Sequence, residues 1–210
     1  LKVERQEPRG ILFIGANEAA RFLAQYLRKH NIPVLLSDTA HDNIREAKRL
    51  GFTTYEGNLL KDDMFEDIDL STTGKLFAFT SNSEINMMAC QKFSKELGDE
   101  NVFRLVSKKE MEFQNLDKPQ NLLFEGSIDL IGLIQVLRNK GQIEEKTFDS
   151  EAEFKEWHQK HRKQIIPLFI KTAEGAVKIM SRRSLNPGKG ETFVFMTNTR
   201  VEIPKVEEIA

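Results

Sequence analysis

The residues whose types and spacing could do chemistry are Gly15, Asp38 and two polar turns that close later apolar runs. Gly15-Ala16-Asn17-Glu18-Ala19-Ala20 follows the run Ile11-Leu12-Phe13-Ile14 and precedes a segment of helical spacing. A turn in that place can hold phosphate. Its first glycine makes the tight bend, a second lets backbone approach a pyrophosphate, and a third lets the helix pack closely on the strand. Here Gly15 keeps the first role and Ala20 is a small substitute in the third, while Asn17 puts a side chain where phosphate would meet backbone. Asparagine tolerates unusual backbone angles, and its amide can donate to phosphate. The helix start adds unpaired N–H groups and the positive end of a dipole, and Arg21 in the first turn is within reach of a bound phosphate. Asp38 lies roughly 20 residues after the turn, where a carboxylate accepts hydrogen bonds from a ribose. Gly57-Asn58 and Thr80-Ser81-Asn82 end the next two strands, at the sheet edge where open α/β folds bind ligands.

The elements that must position these residues follow from hydrophobic periodicity. Ile11–Gly15 is the continuous apolar run of a strand buried on both faces. Asn17–His30 places Ala20, Leu23, Ala24 and Leu27 on one helical stripe. Val34-Leu35-Leu36 predicts a second strand, and Asp42 a cap for a helix carrying Ile44, Ala47 and Leu50 and closed by Gly51. Further strands are predicted at Phe52–Glu56, Leu76–Phe79, Val102–Val106 and Leu122–Phe124. Helical turns are predicted between them at Leu60–Ile68, around Ile85, Met88, Ala89 and Phe93, and at Lys108–Gln114. Alternating strands and helices with short connections imply α/β: a Rossmann-like, doubly wound parallel sheet.

Ser127–Asn139 is apolar on most sides and calls for neighbours on most sides, either the core or a symmetric second copy. Beyond Gly141 the pattern changes. Ser150 caps a helix to about His161, and Ile165–Ile170, Val177–Met180 and Phe193–Met196 are strands separated by Gly- and Pro-containing turns. The expected organisation is therefore a Rossmann-like domain over residues 1–141 and a small α+β domain over 142–210, with a three- or four-stranded antiparallel sheet and a loose tail.

The net charge of −1 gives no excess of cations for a nucleic-acid surface. One cysteine, Cys90, excludes an internal disulfide framework, fits a reducing cytosol, and is expected as a small core residue. No apolar run is long enough to span a bilayer. Leu1 in place of Met is what a piece cut from a longer protein would show, and a cleaved tag would show the same. His158 and His161 are spaced to share a metal on a helix, but no further Cys or His stands nearby, so a solvated face is expected. Arg182-Arg183 is expected to be solvated charge.

Several stretches together resemble the regulator-of-potassium-conductance (RCK) domains and the Trk potassium-uptake nucleotide-binding subunits, also found at the cytosolic end of monovalent cation/proton antiporters. They are GANEAARFLAQYL from Gly15, Ser37-Asp38, Glu56-Gly57-Asn58, FTSNSEIN from Phe79, and VFRLV with Arg104. The family pattern has glycine where Asn17 and Ala20 stand and aspartate where Asn58 stands. The resemblance implies a non-enzymatic regulatory domain that binds NAD(H) or an adenine nucleotide (ATP, ADP or AMP). The implied site comprises Gly15, Ala16, Asn17, Glu18, Ala20, Arg21, Asp38, Asn58, Thr80, Ser81 and Arg104. It also implies a membrane cation transporter or channel as partner, a place at the inner face of the membrane, and a homodimer through Ser127–Asn139.

Two other classes fit parts of the pattern: an NAD(P)-dependent oxidoreductase and a degenerate Rossmann scaffold for protein association. The first needs an acid-base group beside the cofactor; neither Tyr26 nor Tyr55 has a lysine four residues on.

Overall fold

A computed structural model describes residues 8–61, 70–112, 121–181 and 185–197. Five parallel strands form the first sheet in the order β3-β2-β1-β4-β5. They are β1 (Gly10–Ile14), β2 (Val34–Asp38), β3 (Thr53–Glu56), β4 (Thr73–Ala78) and β5 (Val102–Arg104). Apolar residues on both faces require two covering layers. Helices α1 (Glu18–Lys29) and α2 (His41–Arg49) cover the face carrying Phe13 and Leu36. Helix α3 (Ser83–Leu97) covers the face carrying Leu12 and Leu76. The change of side falls between β1 and β4, so the carboxyl ends of these two strands flank the switch point. The doubly wound sheet is the one the sequence implies.

The second sheet is antiparallel, in the order β6-β9-β7-β8. Its strands are β6 (Ile143–Thr147), β7 (Ile165–Lys171), β8 (Val177–Ile179) and β9 (Thr192–Thr197), and α6 (Glu151–His161) is capped by Ser150 as predicted. This sheet packs on the α1 face: Phe169 stacks on Phe77 at 6.4 Å and on Tyr26 at 6.2 Å. Leu168, Val194 and Met196 therefore join Phe13, Phe77 and Leu23 in one buried cluster. Phe154, Trp157, Phe193 and Phe195 make a second cluster beneath α6.

Polar contacts reinforce the seam. Glu145 accepts from the Tyr26 hydroxyl at 2.7 Å and from Lys171 Nζ at 2.8 Å, and lies 3.2 Å from His30 Nε2. Burial, with Lys171 and Lys29 nearby, holds the His30 pKa below its ordinary value against the pull of Glu145. The approach is therefore one of a neutral imidazole to the carboxylate at neutral pH rather than an ion pair. At the opposite end of α1, Arg138 of α5 (Leu130–Arg138) pairs with Glu18 at 2.9 Å.

Four expectations need correction. Leu122–Phe124 is not a sixth strand: Leu122 makes one isolated bridge to Arg104, and Leu123–Gly126 is a short 3-10 turn with Phe124 and Glu125 at positive φ. Asp42 is not the cap of α2, which begins after Ala40 with no side-chain cap. His158 does not lie on a solvated face, since it stacks on Phe154 at 5.3 Å and burial lowers its pKa. Strand β6, rich in charge, has no counterpart among the predicted strands. The all-round apolar helix exposes one large residue, Ile131, at 58%, while Leu130, Leu133 and Val136 face the core. The helical turn predicted at Leu60–Ile68, the end of Lys108–Gln114, Arg182-Arg183 and the tail lie wholly or partly outside the described residues. Cys90 is buried as expected, and burial pushes its thiol up to about 11 against the pull of Arg104, leaving it protonated at neutral pH.

Candidate functional site

Gly15 bends the chain out of β1 with φ of +111°, a conformation that side chains strongly disfavour. Its N–H donates to Ser37 O at 2.7 Å, tying the bend to the end of β2. Asn17 then caps α1. Its Oδ1 accepts from Ala20 N at 3.1 Å and its Nδ2 donates to Phe79 O at 2.7 Å, just beyond β4. The amide that could have reached phosphate is thus spent on bracing the turn across the switch point. First-turn amides of Asn17, Glu18 and Ala19 donate to no group among the described residues. Ala20 is fully buried, filling the role of the close-packed third position.

Asp38 closes β2 and is held from three directions. Its Oδ2 accepts from Ala16 N and from Asn43 Nδ2, both at 2.8 Å, and its Oδ1 accepts from Ala40 N at 2.9 Å. One carboxylate therefore ties the turn after β1 to the approach of α2. Arg21 lies alongside, donating to Ala16 O at 2.6 Å and to Asn43 Oδ1 at 3.4 Å.

Between these ends lies a crevice of about 350 Å³. Gly15, Asp38, Asn58 and Thr80 line it together with Lys61, Ile85 and Met88. Asn58 Oδ1 accepts from Leu60 N at 2.9 Å and shapes the turn after β3. Thr80 is locked to Asn86, which is 1% exposed: Asn86 Oδ1 accepts from the Thr80 hydroxyl at 2.8 Å, and Asn86 Nδ2 donates to Thr80 O at 2.9 Å. Ile85 and Met88 are 38% and 55% exposed and make an apolar rim opposite Asp38. Sequence reasoning missed that rim, as it missed Asn43 and Lys61. The one available signal was that Ile85 and Met88 stand a turn or two before the fully buried Ala89 and Phe93, at the strand-proximal end of α3.

The other seven predicted residues, Ala16, Asn17, Glu18, Ala20, Arg21, Ser81 and Arg104, do not line the crevice; Ala16, Asn17, Ala20 and Arg21 support it from behind, and the rest stand apart. Glu18 turns to Arg138, and Ser81 is exposed beside the crevice without lining it. Arg104 is 4% exposed and forms a two-pronged pair with Glu110, at 2.7 and 3.1 Å. Burial pushes the Glu110 carboxyl up, but the Arg104 guanidinium and the amide and hydroxyl of Ser107 outweigh it and hold it below its ordinary value.

A glycine bend, a helix start and a carboxylate converge at the switch point. The sequence matches the TrkA-N domain family over residues 11–116 of 210. The chain belongs to the TrkA-N domain family. No curated protein matches it. Among solved structures, this TrkA-N chain is similar to the NAD(P)-binding domain of an exopolyphosphatase-related protein from Archaeoglobus fulgidus. That likeness has 18% identity over 62% of this chain and 95% of the other, with a TM-score of 0.43. It is also similar to the TrkA-N domain of the inner membrane protein ybaL from Escherichia coli, at 13% identity over 63% and 93%, with a TM-score of 0.43. The GsuK channel bound to NAD is 13% identical, over 92% of this chain and 38% of that one, with a TM-score of 0.45. No described helix of the TrkA-N chain is long and apolar enough to cross a membrane.

Proposed function

We propose that this TrkA-N chain is a sensor that binds NAD(H) or an adenine nucleotide in the crevice without turning it over. In this proposal, binding is passed to a monovalent cation transporter or channel at the inner face of a membrane. The observation that carries the reading is Asp38, a carboxylate fixed at the wall of the crevice beside Gly15 and facing the apolar rim of Ile85 and Met88. The lone pair left on its Oδ1 suits a ribose hydroxyl, the unpaired first-turn amides suit phosphate, and the rim suits a flat base. No cluster of described residues beside the crevice pairs a general acid or base with a nucleophile, which favours sensing over catalysis.

Binding regulates only through a difference in affinity between two arrangements. Helix α1 is the natural carrier, because Ala16 and Asn17 tie its start to Asp38 and Phe79 at the site, while Tyr26 and Glu18 engage the second sheet and α5. The proposed division is a binding unit over 1–141 and a smaller α+β unit over 142–210, with pairing of two copies through Ser127–Asn139. Exposed Ile131 is the contact offered to that second copy. Sedimentation velocity is expected to show a dimer that Ile131→Glu weakens at least tenfold; a wild-type chain that stays monomeric at high concentration removes the pairing.

The binding claim is tested by equilibrium titration with NAD, NADH, ATP, ADP and AMP. At least one should bind, and Asp38→Ala should weaken it tenfold or more while the chain stays folded, at a stability cost of about 1–3 kcal/mol for the unpaired amides. Asn43→Ala, which leaves the carboxylate in place, should weaken it less. Equal affinity in wild type and Asp38→Ala would take Asp38 out of the site.

A further inference from the structure

A sheet that seats a dinucleotide does so with two mononucleotide-binding halves, each a β-α-β-α-β run, one on either side of the switch point. The first half is complete here, as β1, α1, β2, α2 and β3. The second is cut short. After β4, α3, β5 and the short helix α4 (Lys108–Glu112), the described chain returns to the sheet only in the isolated bridge between Arg104 and Leu122 before turning away through Leu123–Gly126. Phe124 in that turn packs its ring 6.1 Å from Phe79, immediately beside the end of β4.

The crevice reflects the same asymmetry. Its lining comes from the ends of β1, β2, β3 and β4 and the first turns of α3, with no described residue of β5 or beyond. On the β5 side the groups that could have faced a second nucleotide are committed elsewhere. Leu105 and Val106 are 0% and 2% exposed, the Arg104 guanidinium is closed on Glu110, and Thr80 is closed on Asn86. At about 350 Å³ the space sits at the small end of ligand sites, which run from roughly 300 to 1,000 Å³.

We infer that the crevice takes a mononucleotide, one base and ribose with its 5′-phosphates, and that the second half of a dinucleotide gains no contacts there. The inference rests on the reading that the crevice binds nucleotide at all. The base would lie on Ile85 and Met88, the ribose against Asp38 and the phosphates at the Gly15 turn. The nicotinamide half of NAD would be left over the closed β5 side.

Calorimetric titration of the purified chain with AMP, ADP, ATP, NAD and NADH separates the possibilities. The expected result is that the tightest adenine mononucleotide binds at least as well as NAD or NADH to within a factor of ten. NAD or NADH binding more than tenfold tighter than all three mononucleotides overturns the inference while leaving the nucleotide reading standing. Absence of binding by all five compounds overturns the nucleotide reading itself, and the inference with it. Asp38→Asn should lower the affinity of the best mononucleotide and of NAD by the same factor, since both would use one seat; loss for the mononucleotide alone would mean NAD sits elsewhere and would also overturn it.

Discussion

Gly15→Ala is expected to lower the unfolding free energy by about 3 kcal/mol or more and to abolish nucleotide binding. Two independent costs meet at this position. The backbone sits at φ of +111°, where a side chain is strained, and an added methyl would lie 2.5 Å from the carbonyl oxygen of Phe79. That carbonyl is not free to retreat, because it accepts the Asn17 amide at 2.7 Å while Phe79 N donates to Ile14 O at 2.7 Å. Gly175→Ala separates the terms. Gly175 has φ of +79° with nothing within 4 Å of an added methyl, so it should cost only the conformational strain, about 1–2 kcal/mol. Urea denaturation of both variants is the measurement. Equal midpoint shifts would show that the approach of Phe79 to Gly15 is not tight in solution.

Glu110→Ala is expected to cost about 2–3 kcal/mol, well above a surface ion pair. It leaves the Arg104 guanidinium, 4% exposed, with only the Leu105 carbonyl at 3.4 Å among the described residues. The estimate is set below the full cost of breaking a buried pair because the Glu110 side chain is 29% exposed and partly screened by water. The pair also has a pH signature. Because the folded carboxyl is held below its ordinary value, its contribution is complete above the unfolded carboxylate value of about 4.3 and fades as pH falls through the lower folded value. Stability curves of wild type and Glu110→Ala should therefore converge as the solution is acidified. Curves that stay parallel from neutral pH to pH 3 would mean the pair is not formed.

The parallel sheet was legible because four of its five strands carry a short apolar run closed by a polar turn, with β1 and β5 buried throughout; β3, Thr-Thr-Tyr-Glu, is the half-exposed edge. The same rule misled at Leu122–Phe124. Those residues are almost fully buried, but burial alone does not distinguish a strand from a tight turn packed against Phe79. Strand β6 escaped for the opposite reason: Ile-Glu-Glu-Lys-Thr pairs on one side only, with β9, and its charges face outward or form the contact with Tyr26. In the crevice, glycine and aspartate at dinucleotide-fingerprint spacing were visible in the sequence. The rim was not, since Ile85 and Met88 share the helical period of the core residues Ala89 and Phe93. Only the position of α3 at the sheet edge brings the first pair out into the crevice. Arg104 shows the converse: a cation at the end of a strand looks like a phosphate ligand until its carboxylate partner, six residues on, comes within reach.

Helix α1 is fastened near both ends, by Glu18 to Arg138 and by Tyr26 to Glu145. A rod pinned twice cannot slide or roll under a ligand pressing on its tip without dragging whatever holds the pins. In the proposed sensor, strain entering at Gly15 is expected to leave the helix chiefly through the Tyr26–Glu145 contact, as a tilt of the β6-β9-β7-β8 layer, because the Glu18–Arg138 pair is exposed and yields easily. The layer, rather than the sheet beneath the crevice, is accordingly where an occupied and an empty chain should differ most in shape.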